Sequence, residues 1–311
     1  MAPLPIIIDC DPGQDDAIAL LLALASPGEL EVLAITAVAG NVPLRLTEYN
    51  ARRVVRLAGR DDVPVFAGCD RPLLRTLETA EYVHGKTGLD GAELAEPGFP
   101  LTPGHAVDAI IDLVMARPAG AVTLCPIGPL TNIAMALRKE PRLAGHLRQI
   151  ALMGGSIELG NVTPAAEFNI FVDPHAADIV FRSGVPLVMF GLDVTHKALV
   201  TEPHLRRIEA LGTPVAKAAA GLLDFYNRFD RERYGKPGGP LHDPCVIAWL
   251  LDPTLFMGKA CPVEIVREGP SAGRTLVDWW NMHKHPANAT VMRDIDAGRF
   301  FDLLIERLGR L

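Results

Sequence analysis

The chain has 311 residues, of which 49% are hydrophobic and 22% charged, and its 30 Lys+Arg against 37 Asp+Glu leave a net charge of −7. This is the make-up of one large globular domain or two small ones, and it excludes a chain that is mostly disordered. An acidic balance without basic clusters also speaks against nucleic acid as a partner.

The first segment, Met-Ala-Pro-Leu-Pro, lacks the basic flank of a signal peptide. Pro5 to Asp9 reads as a buried strand and Asp15 to Ala25 as an almost wholly apolar helix. The apolar run inside it, Ala17 to Ala25, is the longest in the chain and far too short for a bilayer, so no membrane role is expected. Glu31 to Val38 is the next strand, then a helix over Leu44 to Ala58 and a strand at Val63 to Ala67. Thr76 to Gly104 is rich in Gly and Pro and has no clear period. Helices over Ala106 to Ala116, Leu130 to Arg138 and Pro174 to Ser183 alternate with strands at Ala121 to Cys125, Gln149 to Met153 and Pro186 to Phe190. A long helix near Pro214 to Asp230 precedes an irregular stretch, Arg231 to His242, and another helix follows Asp243. Leu276 to Trp280 and Thr290 to Met292 read as edge strands, and a last helix lies near Ile295 to Leu308.

Continuous apolar strands alternating with helices predict an α/β chain with a mostly parallel central sheet flanked by helices. No composition break or repeat divides it, so residues 1–311 are expected to form a single domain. The stretches near 76–104 and 231–242 are expected to be lid loops. Cys10, Cys69, Cys125, Cys245 and Cys261 match no metal spacing, and their odd number and scatter suit free thiols in a reducing cytoplasm.

In such a sheet, ligands bind beyond the carboxyl ends of the strands. The first strand ends in Asp9-Cys10-Asp11-Pro12-Gly13-Gln14-Asp15-Asp16. One Asp suffices to cap the helix that follows. Four carboxylates so close repel one another unless a cation neutralises them, and oxygen ligands without Cys or His favour Ca²⁺ or Mg²⁺. Pro12-Gly13 makes the tight turn that lets Asp11 face the Asp15-Asp16 pair. Further strand ends carry Asn41 after Gly40, the Pro-Ile-Gly-Pro run at 126–129 with exposed carbonyls, and Gly154-Gly155. Glu167 and Asn169 follow at a spacing of two, and Asn with Glu suits sugar hydroxyls. His84 lies in the first lid candidate, His196 follows a strand, and His242-Asp243 precedes an apolar helix. His105, His146, His175, His204, His283 and His285 are expected to be structural or solvated.

The stretch D-C-D-P-G-Q-D-D-A-I-A at 9–19 resembles the signature of the inosine–uridine-preferring nucleoside hydrolases. So do V-A-G-N at 38–41, V-H-G-K-T-G-L-D-G at 83–91, M-G-G at 153–155, P-A-A-E-F-N-I at 164–170, G-L-D-V-T-H-K at 191–197 and L-H-D-P-C at 241–245. The strongest likeness is to the pyrimidine-specific members, which cleave uridine and cytidine. The resemblance implies a Rossmann-like core, assembly into dimers or tetramers, and one bound Ca²⁺. It implies metal ligands Asp11, Asp16 and Asp243, with the backbone carbonyl of Ile127. It places Asp15, Asn41, Asn161, Glu167 and Asn169 on the ribose, Met153 in the sugar pocket, and His84 and His242 at the base end. Asp11 would act as the base on water and His242 as the donor to the leaving base. Phe225, Tyr226, Phe229 and Tyr234 are candidates to stack on the base.

Two other readings use the same residues. A metal-dependent phosphohydrolase also needs paired aspartates, but it would bring Lys or Arg to the cluster, and 9–25 has none. A nucleoside-binding protein without chemistry would not need Asp11 and His242.

Overall fold

The computed structural model describes residues 2–235 and 237–311. Ten strands occur among them: β1 (Leu4–Cys10), β2 (Leu30–Ala37), β3 (Val65–Ala67), β4 (Thr123–Pro126), β5 (Gln149–Met153), β6 (Leu187–Phe190), β7 (Phe256–Cys261), β8 (Val263–Ile265), β9 (Thr275–Val277) and β10 (Ala289–Ile295). Eight form one sheet in the order β3-β2-β1-β4-β5-β6-β10-β7, while β8 and β9 make a separate antiparallel ribbon. Every pair in the large sheet is parallel except β10 with β7.

The strand sequences explain this layering. Ile6, Ile7 and Ile8 are all buried, as they must be when helices cover both faces. Alternation sorts them. Ile6, Ile8 and Cys10 pack in the layer that holds helix Gln14–Leu24, and Ile7 packs in the opposite layer with helix Thr131–Lys139. The helices that follow β1 and β4 therefore leave the sheet on opposite faces. Strand order reverses at this point, which opens a crevice beyond the carboxyl ends of β1 and β4.

Helix Gln14–Leu24 is buried at all 11 residues, so its apolar sequence is a core sequence rather than an amphipathic one. It touches helices Pro214–Tyr234, Pro244–Leu251 and Ala297–Leu308. Truncating one of its leucines to alanine would cost about 2–5 kcal/mol. That packing fixes the turn that precedes it. No helix among the described residues is long and apolar enough to cross a membrane.

The structure corrects several readings of the sequence. Thr290 to Met292 lies in β10, which is not an edge strand, because β7 covers it. The edge strand β7 is missed in the sequence because its middle reads Gly258-Lys259, a poor strand signal. A lysine there is a common guard of an open sheet edge. Leu276 to Trp280 is not an edge of the main sheet either; Thr275–Val277 pairs in the ribbon and the tryptophans lie beyond it. Helix Pro214–Tyr234 runs into the stretch expected to be irregular and stops at Gly235, whose φ of 62° suits a left-handed end. The first lid candidate holds a short helix, Glu81–His84.

Asp9 does not join the other carboxylates. Alternation turns it to the face of Ile7, where Oδ1 accepts hydrogen bonds from Thr36 Oγ1 and from Asn132 Nδ2 at 2.8 Å. Asn132 Oδ1 accepts from the Cys69 amide at 2.8 Å, and its Nδ2 also reaches the Ala37 carbonyl at 3.1 Å. One side chain thus ties β1, β2 and the turn after β3. Asn132→Ala is expected to lower stability by about 2–4 kcal/mol, because it takes a partner from buried Asp9 and from the half-buried Cys69 amide. Urea unfolding with an unchanged midpoint would show that these bonds do not hold the sheet together.

Candidate active site

The turn after β1 is closed by its own residues. Asp16 accepts hydrogen bonds from the amides of Gly13 at 2.9 Å and Asp11 at 3.2 Å. Asn41, delivered by the end of β2, clamps it from the side. Its amide donates to Asp11 Oδ2 at 2.7 Å, and its Nδ2 donates to the Asp11 carbonyl at 3.1 Å and to Asp16 Oδ2 at 3.2 Å. Gly40 and Gly128 complete the cradle, since a methyl group at either would overlap the carboxylate of Asp11.

Asp243 comes from the far end of the chain, at the start of helix Pro244–Leu251, which packs on helix Gln14–Leu24. Asp15, Asp16 and Asp243 are buried and bring one oxygen each within 4.8 Å of one another. Asp11 adjoins this trio, and its Oδ1 is buried with no hydrogen-bond partner. Burial, then the charge of Asp16, pushes Asp15 up to about 8. Burial raises Asp16 to about 6 against the opposing Gly13 and Asp11 amides. Asp11 and Asp243 lie well above the usual carboxylate range, first through burial and then through the nearest aspartate charge, Asp16 and Asp15 respectively. Carboxylates that bring oxygens this close only repel one another, and a proton between them relieves the repulsion. The cluster thus holds protons unless a cation replaces them.

These residues fit a hard divalent cation. The trio is all oxygen, it contains no thiol or imidazole, and an unpartnered Asp11 oxygen stands beside it. The Ile127 carbonyl, at the end of β4, accepts from Asn169 Nδ2 at 2.9 Å and keeps a second lone pair. The converging trio contains Asp15, which the resemblance places on the ribose, while Asp11 stands beside it.

Above the carboxylates lies a cavity of about 720 Å³, counting the space at its mouth. Asp15, Asn41, His84, Ile127, Met153, Asn161, Glu167, Asn169, His242 and Asp243 all line it; Asp11 and Asp16 lie beneath. Glu167 caps the short helix Phe168–Val172. Its oxygens accept from the amides of Asn169 (2.9 Å), Gly155 (2.8 Å) and Ile170 (3.2 Å). Burial still lifts it to about 7. Asn169 Nδ2 also reaches the carbonyl of Met153 at 3.1 Å and its sulfur at 3.4 Å. Asn161 Oδ1 accepts from the Phe168 amide at 3.0 Å, which holds the loop against the same wall.

The opposite wall is aromatic. Helix Glu81–His84 brings Tyr82 and His84, and helix Pro214–Tyr234 brings Tyr226 and Phe229. His84 stacks on Tyr226 with ring centres 5.6 Å apart, and Tyr82 meets Phe229 at 5.8 Å. Phe225 is not in this wall; it packs at Gly91 beneath Arg228. The side chain of Tyr234 lies outside the described residues. His242 and His196 sit side by side, 5.6 Å between ring centres, and both line the cavity. Gln14 and Thr195, which the sequence reading passes over, touch His84 and His242 respectively. Their only sequence signal is their place inside the D-P-G-Q-D-D and D-V-T-H strings. Of the other histidines, His105 caps a helix, His146 bonds the Arg117 carbonyl and His204 stacks on Phe301.

The chain is similar to known proteins over nearly its whole length. A family model for inosine-uridine preferring nucleoside hydrolases matches residues 6–302. The pyrimidine-specific ribonucleoside hydrolase RihA of Photobacterium profundum is 51% identical over 307 residues, covering 98% of both chains. That of Salmonella typhimurium is 50% identical over 307 residues, again covering 98% of both. A purine-preferring ribonucleoside hydrolase from Gardnerella vaginalis has a solved structure that superposes with a TM-score of 0.92 at 34% identity, covering 98% of both chains. The chain belongs to the inosine-uridine preferring nucleoside hydrolase family and is a ribonucleoside hydrolase.

Proposed function

We propose that this hydrolase is Ca²⁺-dependent and prefers pyrimidine ribonucleosides, uridine and cytidine, with some purine activity. The observation that carries the reading is the all-oxygen trio of Asp15, Asp16 and Asp243 at the floor of a cavity walled by Asn, Glu and His. Among the described lining residues there is no Lys or Arg, which disfavours a phosphate substrate and hence the phosphohydrolase alternative. Preference for pyrimidines is supported by the relatives named RihA at about half identity, and purine activity by the purine-preferring structural neighbour.

Asp11, Asp16, Asp243 and the Ile127 carbonyl would hold the ion, with Asp15 at its edge. The ion, when bound, supplies the positive charge that anchors ribose hydroxyls and makes a nearby water more acidic. Asp11 accepts the proton of the water that attacks C1′. Asp15, Asn41, Asn161, Glu167 and Asn169 orient the sugar through its hydroxyls, and Met153 packs against it. Glu167, a buried carboxylate, favours the positive charge that grows on the ribose as the N-glycosidic bond lengthens. His242 donates to the departing base, and His84 contacts that base. The stretches near 76–104 and 231–242 act as lids. In support, the first gives Tyr82, Val83 and His84 to the cavity and the second gives Pro240 and His242. By the same resemblance the chain forms dimers or tetramers and works in the cytoplasm, a setting that its five free thiols suit.

The direct test is product analysis after incubation with uridine, cytidine, inosine and p-nitrophenyl phosphate. Free ribose from the nucleosides, fastest from the pyrimidines, is expected. Phosphate release, or binding without products, would favour the rival readings. In the same assay His242→Ala is expected to slow uridine by roughly 10²–10⁴-fold, the usual worth of a general acid, and p-nitrophenyl riboside far less. Equal losses on both would remove His242 from the donor role.

Proton binding provides a second check. Unfolded aspartates titrate near about 4. In the fold Asp16 and Asp15 sit at about 6 and 8. The folded chain therefore holds protons more tightly, and the stability they contribute is present at acid pH and lost as pH rises through that window. Chelated protein is expected to melt at a lower temperature near about pH 8 than near about pH 5, and saturating Ca²⁺ to remove most of the difference. Calorimetry in which the chelated protein gains stability over that range would contradict the cluster's role.

A further inference from the structure

Gln14 and Thr195 have no role in the chemistry above, yet each touches one of the two histidines at the base end. Gln14 is buried next to the aspartate turn, and its Nε2 donates to the carbonyls of His84 at 2.9 Å and Asp90 at 3.0 Å. Carbonyls only accept, so the orientation of this amide is settled by its partners. Its Oε1 then faces Nδ1 of His84 at 2.7 Å. Oε1 also only accepts. Nδ1 of His84 must therefore carry the hydrogen, and Nε2 keeps its lone pair. Burial favours the neutral ring, pushing its pKa down to about 3.

His242 is held the other way. Its Nδ1 lies 2.7 Å from Thr195 Oγ1, 47 residues away in the chain. Thr195 is fully buried, and among the described residues this is the hydrogen bond its hydroxyl makes. Were the hydroxyl to accept from Nδ1–H, its own hydrogen would be buried without an acceptor. Donating to Nδ1 satisfies both groups. The hydrogen of the neutral His242 ring then resides on Nε2.

We propose that Gln14 and Thr195 are positioning residues that hold His84 and His242 as opposite tautomers, with the ring acceptor at Nε2 of His84 and the ring N–H at Nε2 of His242. This deepens the reading of His242 as the donor to the leaving group, and rests on it. Negative charge grows on the base as it departs, and of these two rings it is His242 that offers an N–H to it. His84 cannot share that task; it takes an N–H from the base and so orients it. A base that carries both a carbonyl oxygen and an N–H, as uracil does, answers both rings.

The test is to label histidine with ¹⁵N in the Ca²⁺-loaded protein and read imidazole nitrogen shifts, assigned with His84 and His242 variants. Hydrogen on Nδ1 of His84 and on Nε2 of His242 is expected. The same tautomer at both sites, or an average of the two at either, overturns the proposal. Thr195→Val keeps the shape and removes the hydroxyl. It is expected to lower kcat on uridine roughly tenfold, about one hydrogen bond, while p-nitrophenyl riboside stays nearly unchanged and Thr195→Ser restores uridine turnover. Equal loss on both substrates would make Thr195 merely structural and remove it from this role. If Thr195→Val does not fold, the wild-type spectrum still decides. A failure of the donor reading is seen separately, as equal losses on both substrates in His242→Ala with the wild-type tautomers still opposed.

Discussion

Buried carboxylates that converge on one another need positive charge between them, and the rest of this molecule is arranged around that need. Asp15, Asp16 and Asp243 meet beyond β1 and β4, where the strand order reverses. The trio is assembled by core packing. A helix buried at every residue fixes the turn, and a second apolar helix packed against it brings Asp243. Repulsion that would otherwise push these groups apart is opposed by apolar burial on two helices. The same repulsion makes the site a cation trap. Groups that bind protons too tightly when empty release them to a divalent ion.

Rigid support continues outward from the floor. Asn41 and Asp16 saturate the turn with hydrogen bonds, and Glu167 and Asn169 spend much of their capacity on backbone amides and carbonyls. A site so tied down holds its shape before substrate arrives, as the proposed role in orienting a ribose demands. The base end is built differently. Its aromatic wall comes from a short helix and from the last turns of a long one, elements with little sheet beneath them. On the proposed function, specificity for the base falls to the part of the cavity least constrained by the core.

Much of this was legible in the sequence. The six strands from β1 to β6 read clearly because a doubly covered sheet demands continuous apolar runs, and the aspartate turn stands out because so dense a cluster is costly without a function. What escaped has physical reasons. Asp9 sits in the cluster by sequence but alternation carries it to the other face, a distinction visible only once β1 is known to extend to Cys10. The edge strand β7 hides behind Gly258-Lys259, because an edge needs less apolar character than a central strand. The partnerships of Gln14 with His84 and of Thr195 with His242 span 70 and 47 residues, and no local pattern encodes a contact at that range. Stacking residues were half legible. Tyr226 and Phe229 face the cavity while Phe225 packs at Gly91, a choice set by the helix's rotation against its neighbours.

The central claim is that one divalent cation sits among Asp11, Asp16, Asp243 and the Ile127 carbonyl, with Asp15 at its edge. It is tested most directly by diffraction from crystals grown with Ca²⁺, using anomalous scattering to locate the ion. The account expects a single strong peak within bonding distance of those carboxylates, absent after chelation together with nucleoside hydrolysis. No peak there, in protein that still hydrolyses uridine after exhaustive chelation, would contradict it.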